Sequence, residues 1–201
     1  ITKQNLSQPD ALKVVEVFST IQGEGPFAGT PAIFIRLAGC NLRCWFCDTD
    51  FTQRSVMSVE ELVGAVLALR HRSAGISLVV LTGGEPLLQN IVPLLGELTY
   101  THGLHVQIET AGTVWIDKLE PLLIGGKVVS LVCSPKTPKV HPMVEQWCSN
   151  WKYIVADWGI AAQLKEGGGQ HNLRRKGTVW LQPADEGRSQ RTAENIKLAV
   201  R

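Results

Sequence analysis

The sequence has no run of about 18 apolar residues, the length a membrane-spanning helix requires. Its opening residues, Ile1-Thr2-Lys3-Gln4, also lack the charged start and apolar core of a secretory signal. These absences predict a cytoplasmic protein with no membrane partner. Charge of one sign is scarce too: 20 Lys and Arg against 18 Asp and Glu leave a net +2. Binding to nucleic-acid phosphates or to an anionic surface calls for concentrated basic residues, so the near balance argues against both. No internal repeat or low-complexity linker divides the chain. With 44% hydrophobic residues among 201, one sizeable core can form, and a single domain over residues 1–201 is expected.

Cysteine is sparse, five in all, yet Cys40, Cys44 and Cys47 share the stretch Gly39-Cys40-Asn41-Leu42-Arg43-Cys44-Trp45-Phe46-Cys47-Asp48-Thr49. Five cysteines placed at random would give a C-x3-C-x2-C triplet only on the order of a few times in a thousand. A four-iron cluster is normally held by four thiolates, so three from one loop leave one iron open to another ligand. A zinc site remains an alternative if a remote imidazole completes it, since none of His71, His102, His105, His141 and His171 is near the loop in sequence. A reducing cytoplasm suits an iron-sulfur cluster.

Strand-like apolar runs at 12–18, 32–37, 78–81, 104–108, 128–132, 151–155 and 178–181 alternate with helical patterns. Ser58 and Glu61 form a capping-box signature that opens a helix running to about residue 72. A second helix is expected over 91–101, with Pro93 confined to its first turn, and a last one from about residue 192. The glycine-rich stretch 165–171 reads as a mobile insertion. The cysteine loop and the Thr82-Gly83-Gly84-Glu85-Pro86 run each follow a predicted strand, as active-site loops do in a parallel β/α barrel. Too few strands are present for eight, so the predicted fold class is α/β: a partial, (β/α)6-type barrel, a modified TIM-barrel-like form. An open doubly wound sheet is the alternative.

The C-x3-C-x2-C loop followed by Thr82-Gly83-Gly84-Glu85-Pro86 resembles the radical S-adenosylmethionine (SAM) family, whose short members are partial barrels of this kind. In that family the SAM amino and carboxylate groups chelate the open iron of a [4Fe-4S] cluster, and an electron from the cluster cleaves the sulfonium to a 5'-deoxyadenosyl radical. Further stretches are similar to one branch of the family: Phe18 to Gly25, Gly29 to Cys40, Cys47-Asp48-Thr49, Thr82 to Gln89, Glu109 to Thr113, Ser134-Pro135-Lys136 and Gln182 to Asp185. That branch converts 6-carboxy-5,6,7,8-tetrahydropterin to 7-carboxy-7-deazaguanine with loss of ammonia, a ring-contracting lyase step toward queuosine and other deazapurines. The resemblance spans residues from about 16 to 185.

What the resemblance implies for the residues is specific. Cys40, Cys44 and Cys47 would ligate the cluster. Phe46, Cys47, Asp48, Gly84, Ser134, Pro135, Lys136, Gln182, Pro183, Ala184 and Asp185 would line SAM, with Glu85 or a carbonyl receiving its ammonium group. Ile21, Gln22 and Gly23 would hold the pterin edge, Thr82 would lie beneath it, and Arg36 would fork onto its carboxylate. Thr49 would help bind Mg2+ together with substrate and waters, or else simply hydrogen-bond its turn. A flavodoxin- or ferredoxin-type electron donor and a homodimer belong to the same expectation.

Two rival functions share some of these features. A radical SAM activase that makes a glycyl radical on a protein partner would carry the same cysteine loop but gives no role to Gln22 and Arg36. An iron-sulfur electron carrier or zinc module would want a fourth ligand and has no use for the TGGEP run. Cys133 and Cys148 read as small buried residues, and the six tryptophans as core or interface. Lys152 and Asp157 read as solvated flanks of a strand, while Glu109 is evenly balanced between site and surface. Ala111 stands where the family more often has Asn, and the chain ends at Arg201 before the family's Gln-x-His-Lys-type motif, so contacts from that segment are not assigned.

Overall fold

The computed structural model describes residues 2–7, 10–47, 49–51, 54–73, 75–124, 128–155 and 176–184. Asp48, Asp157, Trp158, the 165–171 insertion, Asp185 and the helix from about 192 therefore lie outside the described residues. Eight strands form one sheet: β1 (Ala11–Ile21), β2 (Pro31–Leu37), β3 (Ser55–Ser58), β4 (Leu78–Gly83), β5 (His105–Thr110), β6 (Val129–Cys133), β7 (Asn150–Val155) and β8 (Thr178–Pro183), in the order β3-β1-β2-β4-β5-β6-β7-β8. From β2 to β8 every neighbouring pair is parallel, so the six-stranded parallel core expected from sequence is present. β1 and β3 extend it as antiparallel strands. β3 was not expected, because four residues are too short for a period of two to register.

Helix α1 (Val59–Arg72) opens as expected. The Glu61 amide donates to Ser58 Oγ at 3.1 Å, and the Ser58 amide donates to Glu61 Oε2 at 2.7 Å, which satisfies two orphan donors of the first turn. The helix expected over 91–101 is instead a short α2 (Val92–Gly96) followed by one π-helical turn, Glu97–Thr101. Thr99 Oγ1 donates to the Leu95 carbonyl at 2.8 Å, a side-chain bond that competes with the regular ladder. Two further short helices, α3 (Glu120–Leu123) and α4 (Pro142–Trp147), follow β5 and β6. Among the described residues no helix is long and apolar enough to cross a membrane.

Side chains alternate between the two faces of each strand and divide the core in two. Ile33, Ile35, Leu37, Val79, Leu81, Val106, Ile108, Leu131, Trp151 and Tyr153 pack with Leu62, Val66, Leu94, Leu95 and Leu98 of the helical layer. Ala32, Leu78 and Val80 occupy the other face with Phe27 and Phe34. That second face is concave. Lys152 on β7 is ion-paired with Glu24, in the β1–β2 connection, although three strands separate β7 from β2. In a flat sheet the two would stand roughly 19 Å apart, beyond the reach of a lysine. The sheet therefore curls into a partial barrel, and the turn Gly25–Phe27 plugs its interior with Phe27 set 4.8 Å from the His105 ring.

The turn after β4 is held from inside. Glu85 is fully buried, and its carboxylate accepts from Thr110 Oγ1 at 2.8 Å, from the Ala111 amide at 2.8 Å and from the Leu87 amide at 3.1 Å. Gln89 bridges β1 and β2: its Oε1 accepts from the Lys13 amide at 2.7 Å, and its Nε2 donates to the Lys13 and Ala38 carbonyls, each at 3.1 Å. Burial raises the Glu85 carboxyl above its ordinary value, against the pull of its donors. Truncating Glu85 would leave two buried amides and a hydroxyl unpaired, so Glu85→Ala is expected to cost about 2–4 kcal/mol. Chemical denaturation should read this as a lower midpoint; a loss under about 1 kcal/mol would show that water replaces the carboxylate.

Candidate active site

The loops at the C-terminal ends of the parallel strands enclose a cavity of about 1360 Å3. Single-ligand pockets are usually about 300–1,000 Å3, so this one has room for more than one small molecule. Its wall includes Gln22, Gly23, Arg36, Cys40, Cys44, Phe46, Cys47, Thr49, Thr82, Gly84, Ser134, Lys136, Gln182, Pro183 and Ala184. Residues expected from six separate stretches of sequence are thus brought together. Ile21 is not among them: Thr20 and Gln22 face the cavity, and the intervening Ile21 side chain points out and is 62% exposed. Pro135 is buried but does not reach the wall.

Backbone contacts at the ends of β2 and β4 set the position of the cysteine loop. The Gly84 amide donates to the Leu37 carbonyl at 3.1 Å and the Glu85 amide to the Gly39 carbonyl at 2.9 Å. A Cβ on Gly84 would overlap the Gly39 carbonyl and crowd Cys40 Cβ, so this approach requires glycine. Asn41 Nδ2 ties the loop to Thr113 Oγ1 at 2.8 Å, and the Thr2 amide donates to the Cys40 carbonyl at 2.9 Å. Cys40 and Cys44 are half-buried, Cys47 is exposed, and all three residues line the cavity.

The electrostatics of the loop favour a cationic guest. Burial pushes the Cys40 thiol up, and the nearby Glu85, Cys44 and Cys47 add to this against the Leu42 amide. Burial also raises Cys44, opposed by Lys136 and reinforced by Cys47. Three thiolates this close repel one another until bound iron offsets their charge. Among the described residues no three Cys, His, Asp or Glu side chains converge on one mononuclear ion. Three thiols on one loop are a donor set that a four-iron cluster accepts, one per iron with the fourth iron left open.

Lys136 stands between the loop and the far wall. Its Nζ donates to Ser134 Oγ at 2.6 Å and lies 5.6 Å from the centre of the Phe46 ring. Burial lowers its pKa to about 8, helped by Lys152 and opposed by Cys44, Glu24 and Cys133. Glu85 was expected as a possible receiver of the SAM ammonium group. Its carboxylate instead faces away into the β5 end, fully buried, because three protein donors already claim it.

The opposite wall is a polar network centred on Glu109. Its Oε1 accepts from Gln22 Nε2 at 3.1 Å and from Gln107 Nε2 at 3.0 Å, and its Oε2 accepts from Thr82 Oγ1 at 3.0 Å. The Glu24 amide donates to Gln22 Oε1 at 3.1 Å, which fixes the Gln22 amide in one orientation. Lys152 lies between Glu24 and Glu109, 4.0 Å from the Glu109 carboxylate. The solvated position expected for Lys152 is wrong: the residue is only 9% exposed, because the polar face of β7 looks into the barrel. Beside this network Arg36 crosses the Phe18 ring at 5.8 Å, donates from Nε to Glu16 at 2.7 Å and from Nη1 to Thr49 Oγ1 at 3.3 Å. The alternating pattern of β5, His-Val-Gln-Ile-Glu-Thr, signals that Gln107 and Glu109 share one face of the strand, and closure of the barrel makes that face the inner one.

A model of the radical SAM superfamily matches residues 34–158, more than half the chain, and the chain belongs to that superfamily of enzymes. Proteins named 7-carboxy-7-deazaguanine synthase are among its relatives. The one from Rhodospirillum rubrum is 47% identical over 148 residues, covering 73% of this chain and 60% of its own length. The one from Rickettsia prowazekii is 46% identical over 202 residues, covering 94% of this chain and 80% of its own length. The crystal structure of QueE from Escherichia coli superposes with a TM-score of 0.67 at 26% identity, covering 94% of this chain and 90% of that one. Within the superfamily, the chain belongs to the 7-carboxy-7-deazaguanine synthase family. The match spans about 60% of the Rhodospirillum relative.

Gly84→Ala is expected to displace the Gly39–Cys40 backbone, since neither carbonyl nor Cβ there can yield cheaply. Iron content after anaerobic reconstitution should fall severalfold while far-ultraviolet circular dichroism stays near that of the parent. Full iron loading would show that the cysteine loop tolerates the shift.

Proposed function

We propose that this chain catalyses the radical SAM conversion of 6-carboxy-5,6,7,8-tetrahydropterin to 7-carboxy-7-deazaguanine and ammonia. The observation that carries the proposal is one cavity of about 1360 Å3 with three thiols on one wall and Arg36, Gln22, Thr82 and Glu109 on another. An activase would need an opening wide enough for a protein segment, whereas this cavity is furnished at the scale of two small molecules. One radical SAM domain over residues 1–201, a homodimer and a flavodoxin- or ferredoxin-class reductant complete the reading.

Cys40, Cys44 and Cys47 hold the [4Fe-4S] cluster in this reading, and SAM occupies the space between Phe46, Gly84, the Ser134 to Lys136 turn and the Gln182 to Ala184 end of β8. When bound, cluster and SAM together supply the one-electron chemistry that starts hydrogen abstraction from the substrate. The residues of the chain bind, orient and exclude water. Arg36 has five N–H donors, of which Glu16 and Thr49 engage two, so its guanidinium retains donors for the substrate carboxylate. Thr49 offers one hydroxyl oxygen for Mg2+, whose remaining ligands would be the same carboxylate and water. The Glu109 carboxylate pairs with the amino-pyrimidine edge of the pterin, and Gln22, able to donate and accept, completes that edge. Glycine at 23 lets the ring lie close to the backbone.

Cluster-reconstituted protein given SAM, a reductant, Mg2+ and 6-carboxytetrahydropterin under argon should form 7-carboxy-7-deazaguanine, seen by mass spectrometry. Cys44→Ala should abolish it. Cleavage of SAM to 5'-deoxyadenosine without this product would overturn the substrate assignment. Omitting Mg2+ should slow turnover severalfold, and Thr49→Ala should shrink that difference; an undiminished Mg2+ response in Thr49→Ala would remove Thr49 from the metal site.

A further inference from the structure

On the inner face of the barrel Lys152 stands between two carboxylates from distant parts of the chain, with Lys136 as a second lysine on the same cavity. Glu24 comes from the connection after β1, and Glu109 from β5. The side chain is only 11% exposed, so its ammonium group and both partners meet in a partly water-excluded wall, where charge interactions are stronger than at the surface. We propose that Lys152 is a positioning residue for the pterin substrate: by bridging Glu24 and Glu109 it holds the substrate-facing carboxylate and the Gln22 amide in the one orientation that accepts an amino-pyrimidine ring. This rests on the reading of the site as a pterin pocket.

The argument follows the hydrogen bonds. The Gln22 amide is clamped at both ends, its oxygen accepting from the Glu24 backbone and its nitrogen donating to Glu109. Glu24 is itself the residue that enters the turn Gly25–Phe27, so its side-chain anchor also anchors that loop. Without the ammonium group, Glu24 would lose its ion pair and Glu109 its neighbouring cation, and the β1–β2 connection would lose its side-chain tie across the barrel to β7. Gln22 would then lose one of its two partners. A pterin presents N–H donors from its 2-amino group and ring nitrogen, which suit a carboxylate acceptor. A lumazine, with oxygen in place of the amino group, presents an acceptor there and would meet Glu109 acceptor to acceptor. A site built to pair a donor rejects the analogue lacking it far more strongly than a merely apolar pocket does. The bridge therefore bears on selectivity as well as on affinity.

The test uses 6-carboxypterin and 6-carboxylumazine as fluorescent probes for equilibrium binding, with steady-state turnover of 6-carboxytetrahydropterin beside it. Lys152→Met is expected to raise KM and the 6-carboxypterin Kd about 10- to 100-fold, to change kcat by less than about threefold, and to erase most of the preference for pterin over lumazine. Lys152→Arg, which keeps the charge, should restore most of that preference. Glu24→Gln, on a partly exposed loop, should move KM and selectivity the same way by a smaller factor, and the double variant Glu24→Gln/Lys152→Met should be no worse than Lys152→Met alone. If Lys152→Met does not fold by circular dichroism, Glu24→Gln decides. Unchanged selectivity in these variants, fully additive effects, or a fall in kcat with KM intact would overturn the inference while leaving the wild-type reaction standing. Absence of any pterin binding or turnover by the wild type would overturn the reading of the site itself.

Discussion

Where β2 and β4 end side by side, the Gly84 amide reaches the Leu37 carbonyl and the Glu85 amide reaches the Gly39 carbonyl, with no space for a Cβ between the two chains. The remainder of the site hangs from that approach. It places the first cysteine beside the turn after β4, and it lets Glu85 swing inward to receive donors from the end of β5. Three consecutive strand ends are thereby locked by backbone and by one buried carboxylate. The cysteine loop is a long excursion, and loops of that kind are usually the mobile part of a fold. Here its entry is as fixed as the sheet.

The curl of the sheet does the complementary work. An inner face that begins with Ala32, Leu78 and Val80 around Phe27 becomes polar toward the C-terminal ends of the strands, where Gln107, Glu109 and Lys152 stand. At the apolar end the turn Gly25–Phe27 packs Phe27 against Ala32, Leu78, Val80 and the His105 ring. The polar end becomes a solvent-accessible chamber. The one fold thus yields an apolar base and an open, charged mouth from strands only four to seven residues long, apart from β1.

Much of this was legible beforehand, and the parts that were not share one cause. The six parallel strands and the capping box at Ser58 follow from local pattern, and the clustering of the cysteine loop with Ser134, Lys136 and Gln182 from the resemblance to the radical SAM family. Lys152 was misread and Glu109 left undecided because a period of two says only that a strand has a polar face. It does not say whether that face meets bulk water or a cavity, and closure of the barrel settles which. Glu85 was misjudged for a related reason: a motif glutamate beside a cofactor loop suggests contact with the cofactor, whereas its hydrogen bonds turn it toward the protein. The helix expected over 91–101 runs on from Gly96 as a π-helical turn, where the Thr99 hydroxyl donates to the Leu95 carbonyl, a bond that propensity does not weigh.

The chamber is continuous from the three sulfurs to Arg36 and Glu109. Two occupants sharing such a compartment share its water as well. Whichever enters first expels solvent that the second no longer has to displace and stiffens walls that the second would otherwise have to order. Each is then an effector of the other, and thermodynamic reciprocity makes the gain the same in both directions. In a chamber of this shape such coupling would need no domain movement, and it would load the radical-generating centre most firmly when a substrate is there to consume the radical.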